Sequence, residues 1–553
     1  MRSLLFFCFF CGTLVSKEPS HILFLIKRGE TERAIKEYMH HRNEVGHHEP
    51  ELLEEMAISL LHEGITSSNT DVQMMSMFGA KAAKVLCPLH IFEEGLNSQS
   101  PYVQAAALGT VAEMHEDYTD DLILEGMHSK FLMIRVQTAY FMAQRAAKGA
   151  CGQIESLMRK LPPQFWAYFP ELYAQLETSD ARALLKSLLN HQLLQVRLAT
   201  LFAITKFGRD DLLPSIRALS THVDPFEQEM AAFSLGHFGD IGSKKQLEHL
   251  AKSPSDDVKL AALYALMQIG EEQHFSEIVK MAEKKNLFAV YLLHKWERGK
   301  DILAKLVHDR DINVRLNATV ALLKLKEVRA LGAIAEFLLK TPSDLGFEPQ
   351  LSAGSSLRAW RVKRLASAQP KEERERLAMI TRSFRQELLV DSMELGEKIF
   401  MHIARKIFYT RHRELIPTLV RLLENQNSPC SLELLRSYSK EMGMPLTRAY
   451  CNLALYRLKA DGFDQNSFID WIHNEQGKHL IQFEKKSGWK RKKKALTSYE
   501  LAPAETSQLL FETYEAIATA HEPNAIDLLL DAMAYGNEQN RFALAGLLLI
   551  ALQ

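Results

Sequence analysis

Little in this chain interrupts a helix. Its 553 residues include only 18 prolines and 26 glycines, too few for the turns of an all-β chain or for a long disordered one. An excess of one charge is also missing. Lys and Arg number 67 and Asp and Glu 68, a net −1, so no overall field draws the chain to nucleic acid or to an anionic membrane. Cysteine is sparse. Cys8 and Cys11 lie in an N-terminal apolar run, and Cys87, Cys151, Cys430 and Cys451 are far apart with no CxxC pair, which excludes zinc-ribbon spacing. Each of those four sits in an apolar helical pattern and reads as a buried thiol, with a disulfide left open if the chain is exported. Glycine-rich phosphate loops, GxSxG, HExxH and paired carboxylates are absent, so no catalytic residue, cofactor or metal is expected.

Long apolar runs are lacking too. Leu4 to Val15 is 12 residues, short of the ~20 that span a bilayer. It follows Met1-Arg2 and precedes Lys17, the pattern of an export signal ending near residue 16. A buried N-terminal helix is the alternative. The export reading makes the protein periplasmic or secreted, in a bacterium; the alternative places it in the cytoplasm.

What is present is a period. Val72, Val103, Ile134, Phe165, Val196 and Val258 lie on one 31-residue register, with Glu227 at the remaining step. Four residues after each comes a mostly small side chain: Ser76, Ala107, Thr138, Phe169, Thr200, Ala231 and Ala262. Gly208, Gly239 and Gly270 repeat the same interval. A period of this size marks stacked helical hairpins, none able to bury its apolar face alone. Each unit predicts a polar turn whose Asp or Ser caps a helix, a left-handed Gly that stops it, and a second amphipathic helix. Along the chain this gives a leader at 1–16, a helical N-terminal cap at 17–70 and repeats at 71–340. A charged insertion, read as a loop plus a long helix, follows at 341–395, and further helical repeats at 396–553.

The segments DVKLAALYALMQIG (257–270), NVRLNATVALLKL (313–325) and QVRLATLFAITKFG (195–208) resemble HEAT repeats, in particular the short subclass first named from phycobiliprotein lyases. PYVQAAALGTVAEM (101–114) and LMIRVQTAYFMAQ (132–144) match in part, and FWAYFPELY (165–173) by spacing alone. The resemblance implies an all-α, right-handed α-solenoid of helical hairpins with a ~31-residue period, binding protein segments along its concave face. HEAT-type deoxyhypusine hydroxylases hold iron through His-Glu pairs on the register. Here His48-Glu49, His62-Glu63, His115-Glu116 and His521-Glu522 all fall off it, and the slots hold Leu198-Ala199, Leu260-Ala261 and Leu316-Asn317. Lyase activity has no support, since a repeat travels between functions.

The expected role is a non-enzymatic scaffold for protein partners. Its candidate contacts are Gln104, Arg135, Arg197, Gln228, Lys259 and Arg315, with Gln104, Gln228 and Lys259 taken as exposed on the concave face. The plainer reading of the basic ones is a structural ladder to turn acids such as Asp257 or Asp311. A second candidate lies in the basic loop 484–494, where Lys485, Lys486, Lys490, Arg491, Lys492, Lys493 and Lys494 surround Trp489. It reads as an anionic-membrane contact or as a solvated loop. His40, His41, His47 and His48 cluster at the first inter-helix loop, where solvation is the simpler reading than zinc.

Overall fold

The computed structural model describes residues 19–116, 118–340, 344–352, 357–366, 369–410, 413–441, 443–461, 463, 465–481, 503–522 and 524–553. The apolar leader and the basic run 485–494 lie outside them. The described residues form 30 α-helices and one two-stranded hairpin, and none of the helices is long and apolar enough to cross a membrane. The chain divides into two compact units, Met1–Ile134 with Lys459–Gln553, and Arg135–Leu458. These boundaries cut across the spans that the sequence pattern suggests.

The repeat is clearest in the second unit. Asp224 opens helix Pro225–His237 by accepting hydrogen bonds from the Phe226 and Glu227 N–H groups. The helix stops at Gly239, whose φ of +64° lets the Asp240 N–H reach back 2.9 Å to the Leu235 carbonyl. Gly208 and Gly270 close their helices in the same way, at φ +67° and +97°. After helix Ile312–Lys324 the left-handed position belongs to Lys326, at φ +55°, so the glycine signal lapses while the geometry persists.

In this unit helices Leu194–Lys206, Pro225–His237 and Asp256–Gln268 stack in turn, and the register side chains Val196 and Val258 are fully buried. Small residues permit the approach. A Cβ placed on Gly236 would sit 2.4 Å from the Ala265 Cα. Phe165 departs from this pattern. Its repeat is a 3-10 turn, Pro163–Tyr168, followed by a five-residue helix, Pro170–Ala174, and its ring is 44% exposed.

The chain is all-α in class, and one small hairpin is added to the helices. Strands β1 (Leu345–Leu351) and β2 (Arg358–Arg364) form an antiparallel hairpin with Leu345 opposite Arg364. It stands where a loop was expected; the long helix beside it, Lys371–Asp391, is present. The hairpin's edges are covered by side chains. Asn317 accepts from the Trp360 N–H and donates to the Trp360 carbonyl, both at 2.8 Å, and Asn313 accepts from the Val362 N–H at 2.8 Å. On the other edge the Phe347 N–H donates to Thr381 Oγ1 at 2.8 Å, and Pro349 has no N–H to offer. Phe384 packs on both strands, 4.1 Å from the Trp360 ring centroid and 5.1 Å from that of Phe347.

In the first unit the chain's two terminal segments meet. Helix Asn540–Ala551 packs on helices Thr70–Ala83 and Pro50–Ile65. Gly546 lies against Gly79 so closely that a Cβ on it would be 1.9 Å from the Gly79 carbonyl oxygen. Arg42 pairs with Asp527 at 2.6 Å and Arg541 with Glu32 at 3.3 Å along the same seam.

Candidate protein-binding surface

The polar residue following each register slot is occupied by the fold. Gln104 Nε2 donates to the Ser98 carbonyl at 2.7 Å, and its Oε1 accepts from Ser129 Oγ at 2.7 Å. Gln228 donates to the His222 carbonyl at 2.6 Å. Arg197 Nη1 donates to the His191 and Gln192 carbonyls at 2.7 and 2.9 Å, and Arg315 Nη1 to those of Asp309 and Arg310 at 3.0 and 3.2 Å. Each side chain thus reaches five or six residues back and satisfies carbonyls left open before its own helix starts. Gln104 is only 6% exposed, which corrects its reading as an open contact; Gln228, Lys259 and Arg135 are half-buried.

The ladder's acids also differ from those expected. Asp311 caps the Asn313 N–H, while Arg315 pairs with Glu336 at 3.0 Å and Lys259 with Glu277 at 3.5 Å. Arg197 pairs with Glu227, which explains the one acid in the register: its buried carboxylate also meets His222 at 3.0 Å. Burial alone would raise that carboxyl, but these hydrogen bonds outweigh it and hold it below the usual Glu value.

Past the helix stops a second set of ion pairs links neighbouring repeats. Arg217 donates to both Asp240 oxygens, from Nε at 2.8 Å and Nη2 at 2.6 Å, and Lys244 reaches Glu271. Arg217 holds the Asp240 carboxyl below the ordinary Asp range against the opposing effect of burial. A depressed folded-state value stabilises the protein above the unfolded pKa, and that stability disappears as pH falls through the folded one. Asp240→Asn is therefore expected to lower stability at pH 7 by about 1–2 kcal/mol and to flatten the acid limb below about pH 4. Urea unfolding across pH 2.5–7 checks both.

With these groups occupied, the open surface lies at the irregular repeat. The turn Pro163–Tyr168 is fixed by Trp166, whose indole N–H donates to the Leu161 carbonyl at 3.0 Å while its ring lies 5.3 Å from that of His191. The turn leaves Phe165 outward and Tyr168 72% exposed. It packs beside helix Leu194–Lys206, whose Leu198, Ala199 and Phe202 stay half-exposed at i, i+1 and i+4, on one helical face. Lys206 closes the stripe, bridging to Glu171 at 3.0 Å and lying 6.0 Å from the Phe202 centroid. In the next two repeats the equivalent positions are sealed. Phe233 stacks on Tyr264 at 5.1 Å, and both are nearly buried. Sequence spacing placed Phe165 in the core; the turn-forming Pro162-Pro163 pair was the signal that its helix could not start on register.

The histidine cluster disperses onto separate carboxylates. His40 meets Glu44 at 3.3 Å, His41 meets Glu49 at 3.1 Å and His48 meets Asp527 at 3.3 Å. Among the described residues no three His, Cys, Asp or Glu side chains are grouped to hold a metal ion. Cys87 and Cys451 are buried, and burial pushes the Cys87 thiol up to about 12. Cys151 is half-buried and Cys430 exposed, against the expectation of buried thiols throughout; all four are free.

Residues 181–267 match the family described as HEAT repeats. A comparison with curated proteins gives no match. Among solved structures, the chain is similar to a Kap121p mutant at 12% identity and a TM-score of 0.36, over 95% of this chain and 58% of that one. It is also similar to Kap95p with RanGDP, at 11% identity and a TM-score of 0.29, over 87% and 72%. An engineered protein gives 15% identity and a TM-score of 0.22, over 74% and 99%. The chain spans less than two thirds of the Kap121p length. The fold assignment rests on the helices themselves and on the matched repeats.

Proposed function

We propose that this HEAT-repeat chain is a protein-binding scaffold that acts by holding a partner segment and not by catalysis. The observation that carries the reading is the pair of aromatic rings, Phe165 and Tyr168, held outward by a fixed turn beside the half-open apolar stripe of helix Leu194–Lys206. Exposed aromatics on a rigid support are the commonest anchors of protein interfaces, because they desolvate a large area at small entropic cost. The polar side chains along the register, by contrast, are spent on the fold. The partner segment is one that supplies apolar side chains to the rings and stripe.

The test is a comparison of captured partners from the source cell between the natural chain and Phe165→Ser/Tyr168→Ser. The variant is expected to weaken capture by about thirtyfold or more, the loss of two hot-spot residues. Its melting temperature should hold, since neither ring is in the core. Undiminished capture would remove the surface from the reading. Export belongs to the same proposal. It predicts that the chain purified from the envelope fraction of a bacterium begins near residue 17, which intact-mass measurement decides.

A further inference from the structure

The hairpin carries a local excess of positive charge. β2 contributes Arg358, Arg361, Lys363 and Arg364 with no acid, and β1 contributes Glu348 alone, in a chain whose net charge is −1. The partners of these cations account for all but one. Glu348 is met by Lys363 at 2.8 Å on one oxygen and by Arg376 at 3.4 Å on the other. Arg364 pairs with Asp344 at 3.2 Å, and the Arg358 guanidinium lies 4.7 Å from the Trp360 ring centroid. Arg361, directly across from Glu348 in the strand register, is exposed and has no ion-pair partner among the described residues.

We infer that this face of the hairpin, centred on Arg361 with Lys363 and Arg376 at its flank, docks an extended acidic segment of a partner protein. Arg361 and Lys363 stand on one face of a strand two residues apart, about 6.5–7 Å, which matches alternate side chains of another extended chain. A free guanidinium takes a carboxylate through two parallel hydrogen bonds. The hairpin beneath is held on both edges, β2 by Asn313 and Asn317 and β1 by Thr381, so little order remains to be imposed on binding. Glu348 and Glu373 lie among the cations, with Arg376 3.8 Å from Glu373. Spaced carboxylates can pass between these two acids, whereas the continuous charge of an anionic bilayer would be pressed against them. The surface is separate from the aromatic one, and each fails or stands without the other.

The probe is a fluorescent ten-residue peptide of alternating Glu and Ala, with the Gln-Ala peptide as its uncharged counterpart. The full chain is used with its seven Lys and Arg residues at 485–494 replaced by Ser, so that the basic run cannot take the probe. Anisotropy at low salt is expected to show binding of the Glu-Ala peptide only. Arg361→Glu, which breaks no internal pair, should weaken it about tenfold or more, and Lys363→Gln by less. Lys252→Glu, an exposed charge reversal elsewhere, should leave it unchanged. Equal binding of both peptides, or of the probe to the Arg361→Glu chain, would overturn the inference. Sedimentation with phosphatidylglycerol vesicles that is lost on Arg361→Glu would reassign the face to a membrane.

Discussion

Gly546→Ala is expected to destabilise the first unit by about 2–3 kcal/mol, although it adds one methyl to a helix and would ordinarily help. The new Cβ would fall 1.9 Å from the Gly79 carbonyl oxygen, a backbone atom that cannot rotate away. Relief requires helix Asn540–Ala551 to lift from Thr70–Ala83, uncovering Leu544, Leu547 and Leu548, all fully buried. Gly109→Ala is the matched control. Nothing lies within 4 Å of a Cβ there, so the same change should stabilise by about 0.5–1 kcal/mol. Hydrogen exchange should locate the loss of protection in 70–83 and 540–551, and urea unfolding gives its size. Equal effects from the two substitutions would mean that the terminal helix does not pack as described.

Asn317→Leu should cost about 3 kcal/mol, though it replaces a buried amide with an apolar side chain of similar volume. The amide satisfies both backbone groups of Trp360, and its loss leaves a buried N–H and C=O without partners, each worth about 1–3 kcal/mol. Asn313→Ala removes two bonds at a half-buried site, from the Val362 N–H and to Asp311 Oδ1, and should cost about 1–2 kcal/mol. Exchange at the Trp360 and Val362 amides reads the two changes separately. Unchanged protection at Trp360 in the Leu variant would contradict the side-chain cover of β2.

The repeat was legible because its signals are local. Asp224 caps, Gly239 stops, and Ala231 and Ala262 allow close stacking, each within a few residues of the element that it shapes. What failed to show needed partners distant in sequence. Glu227 looks like a lapse in the register until Arg197, thirty residues earlier, is seen to hold it. Asn317 reads as an ordinary polar residue of a repeat helix, and its task depends on a strand more than forty residues on. The apolar run of 540–551 reads as the last helix of an array, and nothing in it says that its other wall is Gly79. Gln104 looked accessible because polar residues at a helix start usually are, whereas here a turn carbonyl captures it.

The proposed meeting place of chain and partner is the irregular repeat. Hydrogen exchange of the full chain, alone and with its captured partner, tests it most directly. New protection is expected in 163–168 and 194–206. Protection confined to other segments, with these two unchanged, would contradict it.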